Sequence, residues 1–229
     1  MRTLTLLKVY VVGSSIVVAF SPAVVAATAM LHGTGFDSSG TPLGNGGIDG
    51  SWVSVSTQNS PNAYVVATNG PDFYNNPADL AYKWVDNTSA PAFSGSSWIS
   101  NNAGSNYNGP SPYSFTMTFD LTGWDINTVS IAGQWSVDDA GSLQFNGHTV
   151  SSFAWGDAPG RSMHSYTVPQ ADLLPGLNTV TIHMTTLDQY YDAARFEGTV
   201  TGTVVPEPTS LSLALFAFST TALISRRRK

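Results

Sequence analysis

Carboxylates are the most numerous side chains in this sequence that could do chemistry. Asp138 and Asp139 are adjacent, Gly141 follows two positions later, and the amide of Asn146 comes shortly after. Calcium is held in proteins by about six to eight oxygens from carboxylates, amides and backbone carbonyls. The spacing therefore predicts a calcium site formed by Asp138, Asp139 and Asn146.

A second candidate calcium site lies in a glycine-rich segment nearer the N-terminus, where Asp37, Asn45 and Asp49 fall close together. Neither group has the Asp-x-Asp-x-Asp-Gly spacing of EF-hand loops. The alternative for both groups is that aspartates at strand ends hydrogen-bond their own turns. Calcium is thus the one cofactor that the residues predict. If the aspartates only hydrogen-bond their own turns, no cofactor is needed.

Tryptophan supplies the second kind of candidate site. Trp84, Trp98 and Trp155 lie among loop-type residues. These three rings are the candidates for exposure and for ligand binding, since exposed rings stack on the apolar faces of sugars. The alternative is core packing, because large aromatic rings usually bury. Core packing is our expectation for Trp135, which lies in an alternating strand pattern.

Catalytic motifs are missing from the sequence. The four histidines are scattered, and neither His-Glu-x-x-His nor Gly-x-Ser-x-Gly occurs. There is no cysteine, which excludes thiol catalysis and disulfide bonds. Thirteen aspartates allow so many carboxylate pairs that none specifically indicates glycoside hydrolysis. We predict a protein without enzymatic activity, and a divergent polysaccharide hydrolase is the alternative.

The charge of the central segment restricts its partners. The whole chain has a formal charge of −6, but residues 28–204 contain only three basic residues against fourteen acidic ones, giving −11. Binding to nucleic acid or anionic lipid depends on Lys and Arg. The composition therefore argues against nucleic acid as a partner. It favours solubility and the binding of cations.

Alternating apolar residues predict the elements that position these side chains. The pattern is clearest from Tyr113 to Leu121, and Asn146-Gly147 favours a tight hairpin turn. Further strands are predicted at 52–57, 63–68, 128–137, 149–153, 163–168, 177–186 and 194–204, with a helical turn at 169–174. Residues 70–109 show few strand signals. The fold class predicted for residues 28–204 is all-β, a single antiparallel β-sandwich of the jelly-roll type.

Both termini have the composition of routing segments. Residues 1–27 combine Arg2 and Lys8, an apolar stretch and small residues before a cleavage site, which predicts a helical signal peptide removed by signal peptidase. Residues 205–229 contain an apolar run of about fourteen residues, shorter than the ~20 of a usual membrane helix. The terminal cations would stay in the cytoplasm. A transient membrane helix is therefore predicted at the C-terminus, and a permanent tail anchor is the alternative.

The tail resembles a known sorting signal. Pro206, Glu207 and Pro208 precede the apolar run, and Arg226, Arg227 and Arg228 follow it. This order resembles the PEP-CTERM signal of exported bacterial proteins. The resemblance implies that these residues are recognised by an exosortase-type processing enzyme. It covers about a tenth of the chain and implies nothing about the domain before it.

A second resemblance concerns the segment from Tyr113 to Val204. Gly133 and Trp135 in one strand, the Asp138-Asp139 pair and the Asn146-Gly147 turn resemble galactose-binding-like sandwiches and carbohydrate-binding modules. The resemblance implies a jelly roll, often with structural calcium, and a glycan ligand.

Together these features predict an exported protein at the cell envelope surface or in the extracellular matrix. Extracellular polysaccharide is the expected partner, and contact with the membrane is through the C-terminal segment before processing. The alternative is a structural matrix protein without a small ligand.

Overall fold

The computed structural model describes residues 8–12, 15–19, 24–55, 61–66, 96–103, 113–154, 157, 162–185 and 192–205. These residues form strands β1 (Lys8–Val12), β2 (Ser15–Ala19), β3 (Val25–Leu31), β4 (Ile48–Val55), β5 (Asn62–Val65), β6 (Ile99–Ser100), β7 (Tyr113–Asp120), β8 (Ser130–Asp138), β9 (Ala140–Phe145), β10 (His148–Phe153), β11 (His164–Val168), β12 (Leu177–Thr185) and β13 (Ala193–Val204). Short 3-10 helices cover Ile126–Thr128 and Gln170–Asp172. The second of these confirms the helical turn predicted at 169–174.

The N-terminal apolar stretch forms a hairpin where the sequence predicted a helix. Strands β1 and β2 pair antiparallel from Lys8–Ala19 to Val12–Ser15. Both strands are rich in valine, a β-branched residue that favours extended backbone, and Gly13-Ser14 separates them. The predicted helix of residues 1–27 is therefore wrong for β1 and β2. The predicted C-terminal helix lies outside the described residues.

The remaining strands form an antiparallel sandwich, as predicted. One layer has the order β10-β9-β12-β7-β4, and the other contains β11, β8 and β13. Both β3 and β6 pair with β13, and β5 pairs with both β4 and β6. The two layers are therefore joined into one continuous hydrogen-bonded sheet. From β7 to β13 each connection changes layers except the β9–β10 hairpin. This alternation is the jelly-roll connectivity.

The inward-facing side chains of the two layers form one core. In β7 and β12, alternate residues are buried, and Met117 lies opposite Val180 while Phe115 lies opposite Ile182. Aromatic rings join the layers: Phe145 of β9 lies 5.7 Å from Tyr166 of β11 and 6.5 Å from Phe196 of β13, centroid to centroid. The core residues described in this cluster all fall between Leu31 and Val200. Residues 24–205 therefore contain the described core of the sandwich.

Two glycines allow β8, β11 and β13 to approach closely. A Cβ on Gly133 would collide with the carbonyl oxygen of Glu197 and lie 2.7 Å from the Tyr166 hydroxyl. Gly198 faces the same hydroxyl. That hydroxyl donates a 3.1 Å hydrogen bond to the Glu197 carbonyl. The glycines therefore create the space in which a buried tyrosine satisfies its polar atom.

The sandwich has two chemically distinct ends. At one, which we call the terminal end, Val25 pairs with Val204, and the Val205 amide donates to the Gly123 carbonyl at 2.7 Å. At the other, the distal end, β13 begins at Ala193, opposite Asp138. The twelve residues of β13 separate the ends by about 36 Å. Chain segments outside Val25 and Val204 thus leave the sandwich together, far from the distal end.

The strand boundaries also bear on the predicted domain limits. Strand β3 begins at Val25, three residues before the predicted start of the domain at 28. Strand β13 ends at Val204, and the predicted domain limits at 28 and 204 stay predictions. None of the helices within the described ranges has the length and apolarity that a bilayer span requires.

Candidate functional site

Three carboxylates gather at the distal end around a buried tyrosine. Asp138 ends β8, Asp139 occupies the turn into β9, and Asp192 immediately precedes β13. Asp139 is 8% exposed and Asp192 is 4% exposed. The hydroxyl of Tyr113, the first residue of β7, lies beside Ser100 and within the electrostatic influence of all three carboxylates. We call this group the distal acidic cluster.

The electrostatics of the distal acidic cluster fix the protonation of its tyrosine. Burial raises the pKa of Tyr113 well above its ordinary value, and the nearby carboxylates, Asp192 first, raise it further. The Ser100 hydroxyl has the opposite effect, which is smaller than those of burial and Asp192 and larger than those of Asp138 and Asp139. Tyr113 therefore stays neutral at an acidic end of the sandwich, and such an end favours cations and hydroxyl donors.

The first predicted calcium set is not brought together. Asp138 and Asp139 lie at the distal end, whereas Asn146 lies in the β9–β10 turn at the terminal end, beyond the six residues of β9. Asn146 has a positive φ of 49°, which asparagine tolerates. Its inclusion in this set was wrong. The six residues of β9 lie between Asp139 and Asn146 and hold the two side chains at opposite ends of the strand.

Asn146 instead organises the turns of the terminal end. Its amide nitrogen donates to the Asp172 carbonyl at 2.7 Å and to Asn178 Oδ1 at 2.8 Å. Its own Oδ1 accepts from the Thr179 amide at 2.9 Å. With both oxygen and nitrogen used in this way, the side chain has a structural role.

The second predicted calcium set also has other partners. Oδ1 of Asp37 accepts from the amides of Ser39 and Thr41 and from the Ser39 hydroxyl, and the hydroxyl bond is the leading cause of a lowered Asp37 pKa. These are the contacts of an aspartate that closes its own turn. They fit the alternative to a calcium site, in which an aspartate hydrogen-bonds its own turn.

Asp49 is fully buried and holds the N-terminal loop against β4. Its carboxylate accepts from the Gly35 amide at 2.7 Å and from the Ser51 amide at 3.1 Å. His32 Nε2 lies 3.4 Å from the same carboxylate, and this hydrogen bond is the main cause of a raised His32 pKa. Across the described ranges, no group of three or more histidine, aspartate or glutamate side chains has a metal-holding arrangement.

The predicted aromatic surface is only partly described. Trp98 is fully buried against Val66 and Ala193, so the prediction that its ring is exposed was wrong. The reason is that Ser96–Ser100 lies against β13, with the Trp98 carbonyl accepting from the Val66 amide at 2.9 Å. Trp84 and Trp155 lie outside the described residues. Trp135 is buried in the core, as predicted.

The chain enters and leaves the segment containing Trp155 at the distal end. Phe153, the last residue of β10, stacks on Trp135 at 4.9 Å and lies 4.4 Å from the His164 ring, centroid to centroid. Phe153 pairs with Gly141, next to the β8–β9 turn. The predicted role of Trp155 in ligand binding stays a prediction, and so do the sorting roles of Pro206, Glu207, Pro208, Arg226, Arg227 and Arg228, which also lie outside the described residues.

A buried ion pair in β13 was not predicted from the sequence. Arg195 is fully buried, and its Nη2 lies 2.9 Å from Glu197 Oε1. The Ser96 hydroxyl joins the pair: it accepts from Arg195 Nε at 2.7 Å and donates to Glu197 Oε1. Strand alternation in β13 turns Phe196 into the core and these charges to the other face. No sequence signal showed that the 96–100 segment covers that face.

Comparison with known proteins identifies no family. No protein-family model matches the chain, and no curated protein matches its sequence significantly. Among solved structures, the CBM36-1 domain of a multidomain xylanase from the hindgut metagenome of Trinervitermes trinervoides matches 66% of this chain and 97% of its own, with 16% identity and a TM-score of 0.29.

Two further solved structures show similar values. A family 35 carbohydrate-binding module from Clostridium thermocellum matches 64% of this chain and 96% of its own, with 10% identity and a TM-score of 0.30. A CBM36 module in complex with calcium and xylotriose matches 49% and 85%, with 14% identity and a TM-score of 0.28. At these TM-scores the function has to be argued from the residues of this chain.

Proposed function

We propose that this chain is an exported, non-enzymatic surface protein that binds extracellular polysaccharide with the distal end of its sandwich. Its C-terminal tail, with Pro206-Glu207-Pro208, directs it to an exosortase-type enzyme, and its N-terminal segment directs it to signal peptidase. The charge of −11 in residues 28–204 supports a partner other than nucleic acid or anionic lipid.

One observation carries the proposal: the C-terminal tail follows Val204, at the end of the sandwich opposite the distal acidic cluster. About 36 Å of β13 separates Val204 from Ala193. If the tail lies at the membrane or envelope, the distal end faces outward. Asp138, Asp139 and Asp192 would then lie at the end that faces an external ligand, with the half-buried Asp138 the most accessible of the three.

The chemistry of the distal end suits a polyhydroxylated ligand. Carboxylates accept hydrogen bonds from sugar hydroxyls, and charge-assisted bonds of this kind are about twice as strong as neutral ones. Trp155 belongs to the segment that joins the sandwich at this end, where its ring would supply a stacking surface. We include calcium in the proposal, since carboxylates are its preferred ligands. Asp192 lies at the same end of the sandwich as Asp138 and Asp139.

The proposal is tested by titrating purified residues 24–205 with a panel of soluble acidic and neutral polysaccharides, with calcium and with a chelator. We expect binding to at least one polysaccharide. Asp139→Asn should weaken it by about tenfold or more, since one charged hydrogen-bonding group is removed. Asp120→Asn is the matched control, because Asp120 is a carboxylate at the terminal end. No binding to any polysaccharide, or equal losses in both variants, would contradict the proposal.

The export part of the proposal has its own test. The full-length chain, produced in a bacterium that carries an exosortase, should appear outside the cytoplasm without its N-terminal segment and without the residues after the Pro-Glu-Pro motif. Intact-mass measurement of the recovered protein reports both cleavages. Recovery of the unprocessed chain from the cytoplasm would refute export, whatever the outcome of the binding experiment.

A structural matrix protein without a small ligand is the second candidate function. It is favoured by one observation, the uncharged strand β3 at the edge of the sandwich. Absence of glycan binding together with self-association of the purified domain would select this alternative.

A further inference from the structure

We propose that the terminal end of the sandwich docks on the membrane surface while the C-terminal tail is still attached, with the turn at residues 174–177 as the contact. The inference rests on the proposed function, in which the tail lies in the membrane. The turn reads Leu-Pro-Gly-Leu. Leu174 is 50% exposed, and Leu177, at 71%, is the most exposed large apolar side chain in the described part of the chain.

The protein itself satisfies much of the backbone of this turn. The buried side chain of Asn178 accepts from the Leu174 amide at 2.8 Å and donates to the carbonyls of Leu174 and Gly176 at 2.7 and 2.8 Å. The Gly176 carbonyl also accepts from the Leu121 amide at 2.8 Å. Backbone groups that leave water for lipid need such partners. The turn therefore combines exposed apolar side chains with a backbone that does not require water at these positions.

The turn lies beside the point at which the tail leaves the sandwich. The loop at residues 121–123 contacts both: its Leu121 amide bonds the Gly176 carbonyl, and its Gly123 carbonyl accepts from the Val205 amide at 2.7 Å. Val205 is itself 38% exposed. We call Leu174, Leu177 and Val205 the terminal apolar patch. It lies at the end of the sandwich from which the tail departs.

The length of the tail brings this patch to the bilayer. Six residues, 205–210, separate the sandwich from the apolar run that begins at Leu211. Even at full extension six residues reach only about 20 Å. The sandwich is longer than this, since β13 alone spans about 36 Å. While the apolar run lies in the membrane, the terminal end therefore stays close to the lipid surface.

Apolar contact, and not charge, holds the terminal apolar patch on the lipid. The loops at 121–129 and 169–176 contain no lysine or arginine, whereas Asp120 and Asp125 are acidic. Anionic lipid attracts basic residues, so the lipid that fits this end is zwitterionic. Two leucines and a valine have fewer apolar carbons than one myristoyl chain, which alone gives only marginal membrane binding. The free domain should therefore not bind vesicles, whereas a short tether supplies an effective concentration of about millimolar.

Docking fixes the position of the cleavage motif. Pro206-Glu207-Pro208 follows Val205 directly. Contact of the terminal apolar patch with the bilayer places the motif at the lipid surface, where a membrane-embedded exosortase-type enzyme meets it. The patch thus serves the processing of the precursor, which is a role separate from glycan binding at the distal end.

The experiment uses residues 24–229, which contain the described core and the tail, reconstituted in phosphatidylcholine vesicles. The natural chain has no cysteine, so Pro175→Cys can carry a single polarity-sensitive fluorophore between the two leucines. Val55→Cys is the matched control, because Val55 is 59% exposed and lies opposite Ser114, at the distal end. We expect spin-labelled lipid to quench the probe at 175 several-fold more strongly than the probe at 55.

A further pair of variants separates docking from mere proximity to the tail. Leu174→Gln combined with Leu177→Gln in the Pro175→Cys chain should lower the quenching several-fold. Val53→Gln combined with Val55→Gln, which changes two exposed valines of β4, should leave it unchanged.

The docking is overturned if the chain floats with the vesicles but both probes are quenched equally, or if the two leucine substitutions have no effect. A chain that fails to float with the vesicles refutes the membrane tail of the proposed function and the docking with it. Glycan binding by residues 24–205 is measured without lipid and is independent of either result.

Discussion

Val25 lies directly opposite Val204 in the ladder between β3 and β13. The pairing brings the two ends of the sandwich chain to one place, although 179 positions separate them in the sequence. The distal acidic cluster lies at the other end of β13, beside Ala193. In the function proposed above, attachment and recognition would lie at opposite ends of one domain.

Breaking the buried ion pair should destabilise the sandwich strongly. Glu197→Gln removes the carboxylate that lies 2.9 Å from the fully buried Arg195 guanidinium. Removing one partner of a buried pair costs about 3–5 kcal/mol, because the remaining charge is desolvated without compensation. Urea unfolding of residues 24–205 should show this loss.

The control for this prediction removes both charges. Arg195→Met combined with Glu197→Leu should be clearly more stable than Glu197→Gln, since a buried pair can be replaced by apolar residues at little net cost. A loss in the double variant equal to or greater than that of Glu197→Gln would show that the uncompensated charge is not the cause.

The contact between His32 and Asp49 predicts a pH dependence of stability. The hydrogen bond to Asp49 raises the pKa of His32 above its ordinary value of 6.5. The stabilisation is therefore fully present below about pH 6.5 and is lost as the pH rises through the raised pKa. Thermal unfolding should show that His32→Gln lowers the midpoint more at pH 5.5 than at pH 9.

An exposed histidine provides the comparison for this experiment. His183 lies on the outer face of β12, where it contacts Gln144 at 3.2 Å. His183→Gln should lower the midpoint less than His32→Gln does at pH 5.5. A pH-independent effect of His32→Gln would contradict the role given to Asp49.

Asn146 should matter for stability and leave ligand binding unchanged. Asn146→Ala removes the bonds to the Asp172 carbonyl, Asn178 and the Thr179 amide. Leaving a buried partner unsatisfied costs about 1–3 kcal/mol in typical proteins, and these bonds are part-buried. Unfolding should report a loss in this range or somewhat above it. A selective loss of calcium or glycan affinity in the folded variant would instead restore Asn146 as a ligand.

Close packing of β8 against β13 makes Gly133 intolerant of substitution. In Gly133→Ala the added methyl group would meet the Glu197 carbonyl and the Tyr166 hydroxyl. Overpacking of this kind typically costs about 1–3 kcal/mol, and more where backbone must shift. Gly44→Ala is the control, because nothing lies within 4 Å of the added atom there. Equal unfolding free energies for the two variants would refute the packing argument.

Side-chain periodicity was sufficient to predict most strands of the sandwich. From Tyr113 to Val204 the apolar alternation placed the strands within a few residues of their observed bounds, because one face of each strand must be buried. The N-terminal hairpin was not predicted. Its composition suits a signal peptide, while its valines also favour strands, and composition alone does not separate the two.

The site was less predictable than the fold because it depends on which strand ends meet. Asp138 and Asn146 are eight positions apart, but the strand between them carries them to opposite ends of the sandwich. Asp192 is more than fifty positions from Asp139, and antiparallel pairing of β8 with β13 brings it to the same end. Burial of Trp98 and Arg195 could likewise not be predicted from the sequence, since it depends on segment 96–100 lying against β13.

The central claim, recognition at the distal end, is tested most directly by hydrogen–deuterium exchange of residues 24–205 with and without a bound polysaccharide. The account predicts slower exchange around Ser100, Tyr113, Asp138–Ala140 and Asp192–Ala193, with no change in the turns at 121–129 and 169–176. Protection confined to those turns, or to the face of the sheet far from the distal acidic cluster, would contradict it.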